Sequence, residues 1–343
     1  MGPEDVTAER LSELLGGEIG DVESERIGDG LVGLNLRVRL IDAPPDFPRS
    51  IVLKLPSLDE TSRATGIALR NYEREVKFYT QLASTGDIRV PHCHQGEWHE
   101  ESGDFVLVLE DMAPAEQGDQ ITGCSVAEAE AAVDELDKLH GPRWDDSTLS
   151  DIDWLGRRKG EQDAAELAGV WQLMYPGFEA TYSSYLSDES LELVREFSNA
   201  LGPWTDRPQP WALTHGDFRL DNLLFGTAAG GPPVTAVDWQ TPAHGPPIAD
   251  LSYFCGAGLV PEVRRQFEQD LVERYIDGIR QYGVEIHHDW VWEQFRREAF
   301  AGVVMAVIAS QVVGGSERSE AMFAAMATRH LQHALDLESL TLI

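Results

Sequence analysis

The chain has 343 residues and a formal net charge of −32 at pH 7. This charge argues against a nucleic-acid-binding protein, which needs a basic surface. The longest apolar run, residues 299–309, is too short for a membrane span of ~20 residues, so we expect a buried helix there and no membrane segment. Three widely spaced cysteines and the lack of a signal-peptide pattern predict a reduced, cytoplasmic protein.

A glycine-rich pattern, G-x-G-x-x-G, lies near the amino terminus at Gly28, Gly30 and Gly33. Such a pattern binds dinucleotides when it opens a helix. Residues 34–41 instead alternate apolar and polar side chains, which predicts a half-buried strand. The pattern therefore favours a strand–turn–strand hairpin, either one that binds phosphate or one that binds no ligand.

A lysine and a glutamate follow in contexts that favour function. Lys54 lies in a predicted strand at 51–56 and is one of only four lysines, beside 23 arginines. A compact ammonium there suits phosphate contact, although a lysine that reaches solvent from an edge strand is the alternative. Residues 65–83 have apolar side chains at helical spacing. Glu75 lies on this predicted helix, with Glu73 on a different face as the second candidate.

The middle and the end of the chain read mainly as helices. A continuous apolar strand is predicted at residues 105–109. Helical patterns follow at 126–140, 162–187 and 189–200, and several more lie between 248 and 338.

The most specific motif is H-G-D-F-R-L-D-N at residues 215–222, between short predicted strands at 211–214 and 223–226. Phosphoryl transfer needs a carboxylate that orients a hydroxyl nucleophile, and oxygen ligands that hold Mg²⁺ on the nucleotide phosphates. Asp217, Asn222 and Asp238 supply these groups in the order and spacing that protein kinases use. Without such a function they would be turn residues and a strand-end cap.

The H-G-D-x-x-x-x-N loop resembles that of the aminoglycoside phosphotransferase and choline-kinase-like family, whose members phosphorylate small molecules. H-G-D-F-R-x-D-N is similar to the branch joined to acyl-CoA dehydrogenases, and D-W-Q at 238–240 to the ecdysteroid-kinase-like branch. The resemblance implies an α+β, protein-kinase-like fold with two lobes. A small antiparallel sheet with one helix would form a nucleotide-binding lobe at residues 1–112. A larger, mainly helical lobe at 113–343 would hold the catalytic and acceptor sites.

The resemblance also implies roles for residues of the second lobe. Asp217 would be the catalytic base, Arg219 would contact the γ-phosphate, and Asn222 and Asp238 would hold Mg²⁺. Asp250, whether as a helix cap or as a brace beneath the catalytic loop, would be structural. The helices before residue 211 and at the carboxy terminus would wall the acceptor pocket.

Seven residues of the first lobe would bind ATP or GTP. The glycine hairpin and the strand lysine would contact phosphates, Glu75 would pair with that lysine, and the segment after residue 109 would bind the base through a Glu110 carbonyl and a Met112 amide. The full set is Gly28, Gly30, Gly33, Lys54, Glu75, Glu110 and Met112.

The sequence therefore predicts a Mg-nucleotide-dependent kinase that phosphorylates a hydroxyl of a small molecule. A protein kinase is disfavoured because the chain has no D-F-G or A-P-E motif. A catalytically silent nucleotide-binding protein is disfavoured because every catalytic position is intact. The acidic residues either attract a cationic acceptor or form a solvated surface, and their spread along the chain favours the surface. The oligomeric state is not predicted.

Overall fold

The computed structural model describes residues 2–28, 33–157, 161–313 and 315–343. The elements of the amino-terminal part are α1 (Ala8–Leu15), β1 (Asp21–Arg26), β2 (Gly33–Ile41), β3 (Ser50–Pro56), α2 (Glu60–Ala68), α3 (Asn71–Lys77), β4 (Cys93–Trp98) and β5 (Phe105–Glu110). The five strands form one antiparallel sheet in the order β1-β2-β3-β5-β4. Lys54 on β3 is therefore flanked by β2 and β5 and does not lie on an edge strand.

The carboxy-terminal part is mainly helical. Its elements are β6 (Glu116–Gln117), α4 (Val126–His140), β7 (Gly156–Arg157), α5 (Glu161–Tyr182), α6 (Asp188–Thr205), β8 (Ala212–Thr214), β9 (Leu223–Thr227), β10 (Gly230–Ala236), β11 (Ala243–Gly245), α7 (Ile248–Gly258), α8 (Pro261–Gln281), α9 (His288–Arg297), α10 (Ala299–Val312) and α11 (Glu317–Asp336). The short strands form two three-stranded sheets, β10-β9-β6 and β7-β11-β8. A small antiparallel sheet followed by a helical part confirms the predicted α+β, two-lobed fold class.

The five-stranded sheet is covered on one face by α1, a helix that the sequence analysis did not predict. Leu11 of α1 packs with Val38 of β2, Ile51 of β3 and Val106 of β5 in a separate apolar cluster. Leu107 of β5, whose side chain points to the other face, belongs to the largest core. The alternation along β2 follows from the period of two that places successive side chains on opposite faces.

The single helix predicted over residues 65–83 is wrong as a continuous element. Arg70 adopts a left-handed backbone with φ of 58° and separates α2 from α3. The change of chain direction at Arg70 brings Gly66 close to the Tyr72 ring, and a Cβ at Gly66 would lie 2.6 Å from Tyr72 Cζ. Phe78–Leu82 then continues α3 as a π-helical turn. Apolar spacing located the helical residues, but spacing carries no signal for the break.

The largest apolar core joins the two parts of the chain, because it extends from α3 and β5 through α4 to β8, β9 and β10. At its centre the Trp239 ring stacks on the Phe78 ring with 3.7 Å between centroids and 6° between planes. Trp239 follows Asp238 directly, and Phe78 lies three residues after Glu75. This stack therefore holds the segment of Asp238 against the helix that carries Glu75.

The helices of the carboxy-terminal part build a second core from α5, α6, α7, α10 and α11. The apolar run at 299–309 lies within α10 and is largely buried there, as predicted. None of the helices in the described ranges is both long enough and apolar enough to cross a membrane.

Asp137 is a buried carboxylate between two packed helices. It lies on α4 and presses against α8 so closely that a Cβ at Gly278 would lie 1.9 Å from its Oδ2 atom. Burial, reinforced by the nearby Asp134, raises the pKa of Asp137 to about 7. The protonated carboxyl therefore favours folding below the unfolded-state pKa of about 3.9. This contribution is lost as the pH rises through about 7.

We expect Asp137→Asn to raise the free energy of unfolding at about pH 8 by roughly 1–3 kcal/mol, because it removes a buried charge. The gain should be smaller at about pH 5.5, where less of the folded wild-type charge has formed. Urea unfolding of both proteins at the two pH values measures this difference. Asp277→Asn, which changes an exposed carboxylate of α8, is the control. An equal gain at both pH values would contradict the prediction.

Candidate active site

The loop between β8 and β9 is held by Asp250 on α7. The Asp250 carboxylate accepts hydrogen bonds from the backbone amides of His215 at 2.7 Å and Gly216 at 3.0 Å, and His140 Nε2 lies 3.4 Å from it. Gly216 has a φ of 80°, and a Cβ there would lie 2.4 Å from the carbonyl oxygen of Thr241. Only glycine fits this position, which explains His-Gly-Asp where protein kinases have His-Arg-Asp.

The Asp217 carboxylate accepts hydrogen bonds from three side chains. Asn222 Nδ2 and Arg219 Nε lie 2.9 and 3.2 Å from Oδ2, and Tyr253 Oη lies 2.7 Å from Oδ1. Asn222 Nδ2 also donates to the Asp217 carbonyl at 2.8 Å. The structure thus brings Asp217, Arg219 and Asn222 together and adds Tyr253, which the sequence analysis did not single out as functional.

The Arg219 guanidinium is enclosed by partners from the loop and from α11. Its Nη1 atom donates to Asp221 Oδ2 at 2.7 Å and lies 3.2 Å from Met322 Sδ. Burial alone would lower the pKa of Arg219, but the charges of Asp217 and Asp221 raise it above its usual range. The group is a fixed cation beside the Asp217 carboxylate, and its contact with a γ-phosphate stays a prediction.

Lys54 bridges two carboxylates from distant parts of the chain. Its Nζ atom lies 2.7 Å from Glu75 Oε1 and 2.8 Å from Asp238 Oδ1. Burial alone would lower the pKa of Lys54, but Asp238 and Glu75 raise it above its usual range. Burial opposes ionisation of Asp238 too, yet Lys54 lowers the pKa of that carboxyl. Lys54 and Asp238 are therefore both charged.

Glu75 and Glu73, the two glutamates of α3 that were candidates to pair with Lys54, have different partners. Glu75 pairs with Lys54 and also lies 3.4 Å from Gln240 Nε2 through its Oε2 atom. Glu73 instead accepts hydrogen bonds from Arg70, which directly precedes α3, and from Lys77 at the end of α3. Glu75 is thus the glutamate that faces Lys54, and Glu73 stabilises the helix locally.

The glycine hairpin is described in part. Gly33 begins β2, and a Cβ there would lie 3.3 Å from the Leu55 carbonyl oxygen and 3.6 Å from Lys54 Cε. Gly28 has a left-handed backbone with φ of 66°. Gly30 lies outside the described residues. The absence of a side chain at Gly33 thus leaves room beside Lys54, and phosphate binding by the hairpin stays a prediction.

The segment after β5 is fixed by side-chain contacts. The Glu110 carboxylate accepts hydrogen bonds from Arg89 Nη2 at 2.7 Å and from the His92 amide at 3.0 Å. Burial alone would raise the pKa of Glu110, but Arg89 and the His92 amide lower it. The Met112 carbonyl accepts from the Ala115 amide at 2.9 Å. Recognition of a nucleotide base by the backbone of Glu110 and Met112 stays a prediction.

Asn222 and Asp238 form a donor set that suits Mg²⁺. The Val237 amide donates to the Asn222 carbonyl at 2.9 Å, which holds the two residues in adjacent segments. Because Asn222 Nδ2 donates to Asp217, its Oδ1 atom is the group to offer a metal, beside the Asp238 carboxylate. Among the described residues, no group of three or more His, Cys, Asp or Glu side chains is arranged so that it could hold a metal ion. A metal bound here would therefore depend on oxygens of the nucleotide.

Two residues that support the loop were missed. Tyr253 lies three positions after Asp250 on α7, so both face the loop, and this spacing is a signal that could have identified it. Gln120 Oε1 accepts a hydrogen bond from the Leu220 backbone amide at 2.9 Å, and the Gln120 backbone amide donates to Asp221 Oδ1 at 2.9 Å. No motif surrounds Gln120, so its sequence context gave no comparable signal.

Comparison with known sequences identifies relatives of the chain. The sequence model of the phosphotransferase enzyme family matches residues 34–284. Acyl-CoA dehydrogenase family member 10 of Mus musculus is 36% identical over 80 residues, which are 22% of this chain and 7% of that protein. The match thus spans only a small part of that relative's length.

Solved structures share the fold at low sequence identity. Choline kinase from Cryptosporidium parvum Iowa II has a TM-score of 0.58 at 12% identity, with 94% of this chain and 91% of that chain covered. Spectinomycin phosphotransferase in complex with ADP and spectinomycin has a TM-score of 0.53 at 15% identity, with 98% and 100% covered. These likenesses establish the kinase-like fold. Because the family model matches most of the sequence, the chain belongs to the phosphotransferase enzyme family.

Proposed function

We propose that the chain is a Mg²⁺-dependent kinase that transfers the γ-phosphate of ATP or GTP to a hydroxyl of a small molecule. The observation that carries the proposal is the meeting of Lys54, Glu75 and Asp238 beside the loop of Asp217 and Asn222. Lys54 and Asp238 are 184 positions apart in sequence, yet their side chains are 2.8 Å apart. Family membership supports phosphotransfer, and this set of groups supports a nucleotide as the donor.

Asp217 orients the acceptor hydroxyl and takes its proton as the new oxygen–phosphorus bond forms. Its side chain is 21% exposed, so an acceptor can reach it from solvent. Arg219, bonded to the same carboxylate, stabilises negative charge on the transferred phosphoryl group. The loop holds the base and this cation next to each other.

Groups of the amino-terminal part bind the nucleotide. Lys54 contacts the phosphates as a point charge and is kept in place by Glu75. The hairpin of Gly28, Gly30 and Gly33 covers the phosphates, and the backbone carbonyl of Glu110 and amide of Met112 bind the base. When held by Asn222 and Asp238, Mg²⁺ would neutralise charge on the nucleotide phosphates.

The acceptor binds beside the catalytic loop, where the helices before residue 211 and at the carboxy terminus wall its pocket. Residues 1–112 would form the nucleotide-binding lobe and residues 113–343 the catalytic and acceptor-binding lobe. Cys93, Cys124 and Cys255, all in the described part of the chain, are free thiols, which suits the reducing cytoplasm. A screen of hydroxylated metabolites and antibiotics for phosphate transfer from ATP and GTP tests the proposal. Transfer to none of them from either nucleotide would count against it.

We expect Asp217→Asn to lower turnover ~10²–10⁴-fold, because the amide cannot take the hydroxyl proton. Affinity for the nucleotide should stay nearly unchanged, since Asp217 acts on the acceptor. Steady-state kinetics on the identified acceptor and calorimetry with nucleotide measure the two effects. Asp289→Asn, an exposed position on α9, is the control, and full turnover by Asp217→Asn would refute the assignment of the base.

We expect Arg219→Ala to lower turnover roughly 10²-fold, because it removes a cation next to the transferred phosphoryl group. Arg219→Lys should recover part of the loss, since it keeps a positive charge. The control is Arg318→Ala, because Arg318 is about half exposed and lies 3.6 Å from the same Asp221. Steady-state kinetics on the three variants measure these changes in turnover. Equal losses of turnover in Arg219→Ala and Arg318→Ala would mean that Arg219 has no special role.

We expect Mg²⁺ to tighten ATP binding to the wild type and not to Asp238→Ala. Two oxygen ligands hold Mg²⁺ weakly until phosphate oxygens complete its shell, so the metal and the nucleotide should bind together. Calorimetry of ATP binding with and without Mg²⁺ on both proteins measures this linkage. The same titration of Asp289→Ala is the control. An equal enhancement by Mg²⁺ in Asp238→Ala would exclude Asp238 as the ligand.

A further inference from the structure

Tyr253 is bonded to the carboxylate that would act as the base. Its Oη atom lies 2.7 Å from Asp217 Oδ1, while Asn222 and Arg219 both donate to Oδ2. Burial, reinforced by the charge of Asp217, holds the pKa of the Tyr253 hydroxyl well above its usual range. The phenol therefore keeps its proton and donates to Asp217 at physiological pH.

Packing holds the Tyr253 ring in place next to Asp217. The residue is only 4% exposed, and its ring stacks on that of His330 with 5.1 Å between centroids and 7° between planes. His330 is itself tightly enclosed, because a Cβ at Gly256 would lie 2.6 Å from its Nδ1 and one at Gly302 would lie 2.1 Å from its Cε1. Close packing behind the phenol thus fixes where its hydroxyl lies.

Asp250 and Tyr253, both on α7, position the loop that carries Asp217. Asp250 binds the loop backbone at His215 and Gly216, and Tyr253 binds the Asp217 side chain. A carboxylate oxygen offers two acceptor sites, and Tyr253 occupies one of those on Oδ1. Among the described residues, the second site on Oδ1 is thereby left for the acceptor hydroxyl, on a side chain that is partly exposed to solvent.

We propose that Tyr253 is a positioning residue that orients Oδ1 of Asp217 toward the acceptor hydroxyl. As the acceptor oxygen forms its bond to the γ-phosphorus, the bond from that phosphorus to the leaving nucleotide oxygen breaks, and the hydroxyl proton passes to Asp217. Tyr253 keeps its own proton throughout. The inference rests on the proposed function, because it requires Asp217 to be the base.

The test is Tyr253→Phe, which removes the hydroxyl and keeps the ring that stacks on His330. We expect kcat to fall about 10–100-fold, as for loss of a hydrogen bond to a charged group. KM for the acceptor and Kd for the nucleotide should change less than about 3-fold, and nucleotide binding shows that the variant is folded. Tyr282→Phe is the matched control, because Tyr282 Oη donates to another carboxylate, Asp87 Oδ2, at 3.1 Å.

A double mutant shows whether Tyr253 acts through Asp217. In the Asp217→Asn background, Tyr253→Phe should cause little further loss of kcat, because the oriented group is already gone. If Tyr253→Phe lowers kcat as much in the Asp217→Asn background as in the wild type, the positioning role is contradicted. An unchanged kcat for Tyr253→Phe alone would also contradict it. A wild-type protein that phosphorylates no acceptor would contradict the proposed function and with it this role. Activity of the wild type thus separates the two failures.

Discussion

The contact of the Lys54 ammonium with Glu75 and Asp238 is the interaction on which the site depends. Lys54 is only 8% exposed, and removing Glu75, its fully buried partner on α3, would cost about 3–5 kcal/mol. Asp238, which is more exposed, adds a second carboxylate from the segment after β10. The stack of Trp239 on Phe78 joins the same two segments through apolar contact. Charge pairing and ring packing thus fix one geometry between the two parts of the chain.

The loop between β8 and β9 is held by a few contacts that each depend on a particular residue. Asp250 accepts two backbone amides, and the backbone at Gly216 passes within contact distance of Thr241, where no side chain fits. The first contact needs a carboxylate at position 250, and the second needs a glycine at position 216. Few positions are constrained in this way, and most core positions need only apolar side chains of suitable volume. A shared fold at 12% identity with a solved kinase is consistent with so small a set of constraints.

The sequence identified those residues whose signal is local. Asn222 follows Asp217 by five positions in one loop, and the strands around the loop have alternating or apolar patterns that could be read directly. The break at Arg70 was not predictable, because it depends on how Gly66 packs on the Tyr72 ring, and apolar spacing does not record that contact. Tyr253 bonds to a residue 36 positions away, and a tyrosine in an apolar helix reads as core. The orientation of Asp217 therefore comes from tertiary contacts that no short motif records.

His330 shows that stability is given up near the proposed base. Both its ring nitrogens are buried without a hydrogen-bond partner in the described part of the chain, which costs about 1–3 kcal/mol for each such group. Gly256 and Gly302, two helical glycines with weaker helix propensity than alanine, make room for the ring. An aliphatic side chain would leave no unpaired nitrogen, but it would not present a flat ring to Tyr253. Burial lowers the pKa of His330 to about 3, so the imidazole is neutral. It can therefore support the phenol without placing a second cation beside Arg219 at the Asp217 carboxylate.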